Sequence, residues 1–174
     1  FFAHMRPLPP VPDVLINDLT PIRNVGFGHP YGGVVRYSGN TQPPQKDRSN
    51  LGYALKINRK RYDKGMGVHA PSALAYQIKP EYERFVALAG VDEHVVSISN
   101  GSNLAMYPSV IFKVFIDGEE AASSPVMKVL SPAWRFDINI PAGADIISLV
   151  AMDAGDGSRE DFADWVNAGF IFTQ

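Results

Sequence analysis

The chain has 174 residues, of which 45% are hydrophobic, and its formal net charge is −2. This length fits one domain that buries a core without disulfides, and the sequence contains no cysteine, which excludes thiolate metal sites. The near-neutral charge excludes the basic surface of a nucleic-acid-binding protein, and no apolar run approaches the roughly 20 residues that span a membrane.

The first residues have the composition of a leader. His4-Met5 is typical of a cloning-tag remnant, and residues 6–13, RPLPPVPD, are proline-rich and predict an extended segment. No basic region followed by an apolar stretch is present, so we expect no signal peptide. We therefore predict a leader over residues 1–13 and a single domain over residues 14–174.

The first predicted strand covers residues 14–19 and ends before Pro21. Residues 24–50 are rich in Gly, Pro, Asn, Gln and Ser, which predicts a long loop with one short strand at residues 33–37. Loops of this length are usually functional when they occur inside a compact domain.

The middle of the chain carries most of the strand signals. The segment 64–72, KGMGVHAPS, contains Gly65 and Gly67, which allow backbone conformations closed to other residues. Asp117-Gly118 is typical of a tight hairpin turn. Further runs typical of strands lie at residues 54–57, 73–78, 85–91, 110–116, 124–130, 134–140 and 146–152.

These signals together predict an all-β fold. About eight or nine short strands, separated by turn residues, favour an antiparallel β-sandwich of the jelly-roll type, with long loops and little helix. Residues 162–166 are a candidate for a single helical turn.

The segment 153–170, DAGDGSREDFADWVNAGF, carries the densest chemistry. Its carboxylates repel one another unless a cation or hydrogen-bond donors lie among them. Carboxylate oxygens suit calcium, so we predict a structural calcium site at Asp153, Asp156 and Asp161, with Asp164 nearby. The spacing is not that of an EF-hand, and a solvated acidic turn is the alternative.

Several segments, in order, resemble the NPCBM (novel putative carbohydrate-binding module) family that is attached to glycoside hydrolases. They are KGMGVHAPSALAYQI (64–78), YERFVALAGVD (82–92), VIFKVFIDGEE (110–120), SPVM (124–127), ISLVAMDAGDG (147–157) and DFADWVNAGF (161–170). The resemblance implies a β-sandwich that binds a galactose-type terminal sugar without cutting it, in some members with calcium. It also implies an extracellular, periplasmic or cell-surface location, with a glycan and other domains of a larger chain as partners, and neither nucleic acid nor membrane insertion.

The resemblance and the mixture of an aromatic ring with carboxylates imply a shallow ligand site at one end of the sandwich. Its expected residues are His69, Asp92, Asp156, Asp164, Trp165 and Asn167. Each has a structural alternative: His69 can tie loops together, Asp92 can cap backbone N–H groups, and Trp165 can pack under the loop.

Two other functions remain to be weighed. Phe162 stands where the family's Asp-His-Ala-Asp-Trp motif usually has histidine, which favours an interaction module that kept the fold and lost sugar binding. An enzyme is disfavoured, because nothing in the sequence reads as a nucleophile–base pair and a short sandwich rarely builds the cleft that glycoside hydrolysis needs.

Overall fold

A computed structural model describes residues 7–26, 43–98, 106–157 and 160–174. The strand predicted at residues 33–37 lies outside these ranges. In chain order the elements are β1 (Val14–Leu15), a 3₁₀ helix (Ile16–Asp18), β2 (Arg23–Gly26), β3 (Gln45–Lys46), β4 (Leu55–Ile57), β5 (Lys60–Tyr62), β6 (Gly65–His69), β7 (Ser72–Gln77), β8 (Tyr82–Val91), α1 (His94–Ile98), β9 (Val110–Ile116), β10 (Glu119–Ser123), β11 (Trp134–Asn139), β12 (Ile146–Asp153) and β13 (Phe162–Phe172).

Two antiparallel sheets form the sandwich. The first has the order β11-β8-β13-β6-β3, with β1 also paired to β13, and the second has the order β10-β9-β12-β7-β2. The β4–β5 hairpin forms a separate two-stranded sheet. The predicted antiparallel β-sandwich is therefore confirmed.

The core lies between the two sheets because the inward positions of their strands are apolar. In β9, the alternating residues Val110, Phe112 and Val114 are completely buried. Trp165 of β13 contributes the central side chain: its ring meets Phe112 of the opposite sheet edge-on at 5.2 Å and lies 5.5 Å from Phe136 of its own sheet. The indole thus joins the two layers.

The outer face of the first sheet is covered by the β4–β5 hairpin. Leu55 and Ile57 pack on Leu88 and Val166 and form a second, smaller apolar cluster. Ile57 can approach β8 because the facing residue, Gly90, has no side chain, and a Cβ there would lie 2.5 Å from Cγ2 of Ile57.

Gly67, which also lacks a side chain, lets the loop before the β4–β5 hairpin approach β6 closely. A Cβ on Gly67 would collide with the carbonyl oxygen of Arg48 and lie 2.6 Å from Cα of Ser49. Gly65 and Gly67 do not use the backbone freedom that glycine allows, since both lie in β6 and neither has a positive φ. They are required because the neighbouring backbone is too close to admit a side chain.

Three predictions need correction. The return strand after β9 is β10 and not residues 124–130, because the Asp117-Gly118 turn, with φ of 50° and 83°, reverses the chain at once. Residues 162–166 are not helical but begin β13, where they pair with β6 and β8. The strand predicted at 14–19 stops at Leu15 and continues as a 3₁₀ helix.

Within the described ranges, no helix is long and apolar enough to cross a membrane.

Candidate functional site

Loops from both sheets meet at one end of the sandwich, which we call the loop end. Phe162 at the start of β13 lies beside His69 at the end of β6, and Ala163 pairs with Val91 at the end of β8. The backbone N–H of Ser109, just before β9, donates to Oδ1 of Asp161 at 2.9 Å. The glycine–histidine segment and the Asp161–Trp165 segment are therefore neighbours in the sheet.

A buried carboxyl pair, Asp92 and Asp164, lies under this end. Asp164 stands in register between Gly67 on one neighbouring strand and Gly90 on the other, so no side chain flanks it directly on either side. Asp92 and Asp164 are both completely buried, and among the described residues neither carboxyl oxygen of Asp164 has a hydrogen-bond partner.

The two carboxyl groups differ in protonation. Burial raises the pKa of Asp164 well above its ordinary value, and the charge of Asp92 adds to the shift. Burial by itself would also raise the pKa of Asp92, but its interactions with the neighbouring Asp164 and His94 outweigh burial, and the pKa is lowered. The two opposite shifts favour a neutral Asp164 carboxyl next to an ionised Asp92.

Asp92 also organises the backbone around it. Its Oδ1 accepts hydrogen bonds from the backbone N–H and from Nδ1 of His94, each at 2.8 Å. Its Oδ2 accepts the N–H of Lys56 from β4 at 3.3 Å. The capping role considered for Asp92 is therefore the one that its contacts support.

Two buried imidazoles enclose Phe162. The ring of Phe162 lies 4.7 Å from that of His69 and 4.4 Å from that of His94, edge-on to both. Burial lowers the pKa of His69 to about 4; the bond between its Nδ1 and the Ala70 carbonyl opposes this shift, and His94 adds to it. A neutral His69 packed on an apolar ring accounts for Phe162 at this position.

The acidic loop is held together partly through Ser109. The Ser109 hydroxyl donates to Oδ1 of Asp156 at 2.6 Å, and Asp153 Oδ1 accepts the N–H of Gly155 at 2.9 Å. Burial raises the pKa of Asp161 to about 7, opposed by the Ser109 N–H, while the charges of Asp156 and Asp153 add to the rise.

These carboxylates have the donor chemistry that calcium prefers, and Oδ2 of Asp161 is buried without a hydrogen bond among the described residues. In the same described part of the chain, however, no three acidic, histidine or cysteine side chains are gathered closely enough to hold a metal ion. Calcium binding at Asp153, Asp156 and Asp161 stays a prediction.

The residues predicted to contact a ligand do not form one surface. His69, Asp92, Asp164 and Trp165 are buried, whereas Asp156 and Asn167 are exposed. Asn167 lies at a bulge of β13 beside Lys64, five positions beyond Phe162 and so about 16 Å from it along the strand. The ring-platform role predicted for Trp165 needs correction, because its exposure is 0% and the core covers its ring.

An aromatic side chain that sequence reasoning missed does reach the surface near these groups. Tyr53 is 47% exposed, and its ring is stacked on that of His94 with a centroid distance of 5.4 Å and an angle of 20°. The signal in the sequence was weak, since Tyr53 lies in a turn far from Asp92-Glu93-His94 and only the fold joins them.

Known proteins resemble this chain over most of its length. The sequence model described as the NPCBM/NEW2 domain matches residues 34–171. A putative endo-alpha-N-acetylgalactosaminidase of Renibacterium salmoninarum is 28% identical over 169 residues, which are 97% of this chain and 10% of that protein. The chain thus spans about a tenth of that curated relative.

Solved structures of CBM51 modules are also similar to this chain over most of its length. The CBM51 module of the GH95 protein of Clostridium perfringens, in complex with methyl-galactose, aligns with a TM-score of 0.70 and 26% identity over 90% of this chain and 98% of that chain. The structure of CBM51-2 with GlcNAc and INT domains of ZmpB, from the same organism, aligns with a TM-score of 0.71 and 28% identity over 90% of this chain and 30% of that chain. From the extent of the domain match and this agreement in fold, the chain belongs to the NPCBM/NEW2 domain family.

Proposed function

We propose that this domain is a non-catalytic carbohydrate-binding module that recognises a terminal galactose-type sugar at its loop end. The observation that carries the proposal is the similarity to the methyl-galactose complex of a CBM51 module, which extends over 98% of that module. A similar CBM51 structure contains GlcNAc, so a single pyranose is the expected size of ligand.

The loop end offers the mixture that a sugar needs. A pyranose has apolar C–H faces and a hydroxylated edge, and sites that bind such ligands combine aromatic rings with a few polar groups. The exposed Tyr53 and Asp156 supply groups of these two kinds at the surface. The buried His69, Asp92 and Asp164 support the loops beneath them, and in this proposal they do not contact the sugar.

An NMR titration of the isotope-labelled domain with methyl-galactoside, GlcNAc and glucose tests the proposal, with calcium supplied. We expect saturable shifts of loop-end amides with methyl-galactoside, with a Kd on the order of 1 mM or tighter, which corresponds to about −4 kcal/mol. Shifts with glucose of the same size would remove the galactose preference. The absence of chemical-shift changes with all three sugars would reject carbohydrate binding.

The alternative is a protein–protein or interdomain interaction module on the same fold. The burial of His69, Asp92, Asp164 and Trp165, four of the six predicted ligand residues, favours it. This alternative predicts no sugar response but measurable association with neighbouring domains of a larger chain. In either case, we propose an extracellular, periplasmic or cell-surface location for the protein.

A further inference from the structure

We propose that Tyr53 is the aromatic platform of the ligand site, and that one face of a galactose-type pyranose stacks on its ring. The inference rests on the proposed function and adds the residue on which the sugar would lie. It starts from an unusual feature of the described surface: a large aromatic ring that is nearly half exposed and yet held from below.

The loop that carries Tyr53 is fixed on the first sheet. The N–H of Tyr53 donates to Oγ of Ser49 at 3.1 Å, and the N–H of Ser49 donates to the Tyr53 carbonyl at 2.8 Å. Ser49 is completely buried, and its Cα lies so close to β6 that only glycine fits at position 67. The backbone of Tyr53 is therefore held in one place before any ligand arrives.

The ring itself has a rigid support. His94 lies under Tyr53 at 5.4 Å, nearly parallel to it, and is only 4% exposed. Nδ1 and the backbone N–H of His94 are both bonded to Asp92, and Phe162 packs edge-on against the imidazole. The imidazole is therefore stacked on one side of the Tyr53 ring, while the residue as a whole remains 47% exposed.

Further bonds tie the two chain segments together. The N–H of Glu93 donates to the Lys56 carbonyl at 2.9 Å, and Oε2 of Glu93 accepts the N–H of Arg59 at 2.6 Å. The β4–β5 hairpin, which follows Tyr53, is thereby bonded to the segment that carries His94. Pre-ordering a site in this way reduces the entropy lost on binding, and tyrosine itself has few rotatable bonds to immobilise.

The chemistry of the ring indicates the class of ligand. The axial 4-hydroxyl of galactose leaves a continuous apolar patch of C–H groups on the opposite face of its ring, which suits an aromatic platform. Such stacking needs the tyrosine ring and not its hydroxyl. Replacement by phenylalanine and replacement by alanine are therefore expected to differ.

The test measures methyl-galactoside binding by NMR for the wild type and for Tyr53→Ala, Tyr53→Phe, Tyr107→Ala and Ile22→Ala. Ile22 is a matched control, 53% exposed and next to β2 away from the loop end, and Tyr107 is the competing aromatic, 40% exposed. We expect Tyr53→Ala to bind at least about tenfold more weakly, Tyr53→Phe within about threefold of the wild type, and Ile22→Ala unchanged. In the wild type, saturation of tyrosine ring protons should transfer to the C–H protons of one sugar face.

The outcomes separate this inference from the proposed function. Wild-type binding that survives in Tyr53→Ala, or that is lost in Tyr107→Ala instead, overturns the platform and leaves the sugar-binding proposal intact. A wild type that shows no sugar binding rejects both the Tyr53 platform and the sugar-binding proposal. If Tyr53→Ala unfolds, the ring-to-sugar transfer in Tyr107→Ala, which lacks the competing ring, decides, and its absence there overturns the inference.

Discussion

At the scale of single residues, the most informative group is the Asp92–Asp164 pair. A carboxylate with no partner is costly to bury, whereas a protonated carboxyl carries no charge to be desolvated. Asp92 is the ionised member because His94 and Lys56 donate to it. Asp164 is the protonated member because it lies between two glycines, covered by packed loops and facing the charge of Asp92.

Asp164→Asn should therefore stabilise the protein above neutral pH. The folded-state pKa of Asp164 is raised, so the unfolded chain releases this proton near pH 4 while the folded chain keeps it, and stability falls as the pH rises. Asparagine has the shape of the neutral carboxyl group and an N–H donor, but it never ionises. Since one pKa unit corresponds to about 1.4 kcal/mol, we expect a gain of at least about 1 kcal/mol at pH 8 that vanishes near pH 4, measured by urea unfolding.

Asp92→Asn is the matched control and should have the opposite effect. It removes the charge that binds the backbone N–H and Nδ1 of His94, and a loss of about 1–3 kcal/mol at pH 7 is expected. If Asp164→Asn were the less stable variant at pH 8, the assignment of the proton to Asp164 would be wrong.

At the scale of elements, two segments decide the shape of the loop end. The loop before β4 is seated on β6 through Gly67, and the acidic loop joins β12 to β13 through Ser109. The first is held by close backbone approach and the second by carboxylates. They should therefore respond to different perturbations.

Gly67→Ala should displace the loop that carries Tyr53. The added methyl group would overlap the carbonyl of Arg48, which belongs to the backbone and has no rotamer with which to yield. We expect a loss of about 1–3 kcal/mol, together with faster hydrogen exchange at the Ser49 and Tyr53 amides. Gly118→Ala is the comparison, because its positive φ of 83° gives a similar loss without any nearby atom to displace. If hydrogen exchange at those amides were unchanged in Gly67→Ala, the loop would not depend on close contact with β6 at Gly67.

Calcium should stabilise the acidic loop more at pH 8 than at pH 5. Asp161, with a raised pKa of about 7, is protonated at the lower pH, and it ionises at the higher pH beside Asp156 and Asp153. Its raised pKa means that stability falls as the pH rises toward 7, and a bound cation would reverse that loss. We expect about 1 mM calcium, a range typical of extracellular modules, to raise Tm at pH 8, as measured by scanning calorimetry.

Magnesium at the same ionic strength controls for screening. Asp161→Asn, which cannot ionise, should be more stable than the wild type at pH 8 without metal and should respond less to calcium. Equal Tm values with calcium and with chelator at pH 8 would rule out the site.

At the scale of the whole molecule, Trp165 joins the two layers. Its ring contacts Phe112 in the second sheet and Phe136 in the first, at a point where β13 pairs with both β6 and β8. The side chain that was expected to hold a ligand is thus the one that holds the sandwich together.

Trp165→Ala should accordingly be strongly destabilising. Large-to-small changes of this kind cost about 3–5 kcal/mol, a large part of the 5–15 kcal/mol that stabilises a typical domain. Urea unfolding followed by circular dichroism measures the loss, and Trp165→Phe should recover part of it. The folded fraction of Trp165→Phe should bind methyl-galactoside with wild-type affinity. A loss of affinity in a variant of normal stability would show instead that Trp165 contacts the ligand.

The fold was largely predictable because strand periodicity is a local property. The alternation in residues 134–140, the apolar runs in β8, β9 and β12 and the Asp117-Gly118 turn are each visible within a few residues, and each appears in the structure. The start of β13 escaped prediction because burial on both faces gives Phe162, Asp164 and Trp165 no alternation to detect.

The site depended on contacts between residues far apart in the sequence. The sequence by itself determined that Asp92 follows an apolar strand, while His69 and the Asp161–Trp165 segment were singled out by the order of the family-like motifs and the cluster of carboxylates. Only the tertiary structure decided that Trp165 faces inward, because a shift of one position along a strand reverses the face to which a side chain points. Only the tertiary structure decided that Tyr53 lies over His94, because the position of the Tyr53 loop depends on Gly67 in another strand.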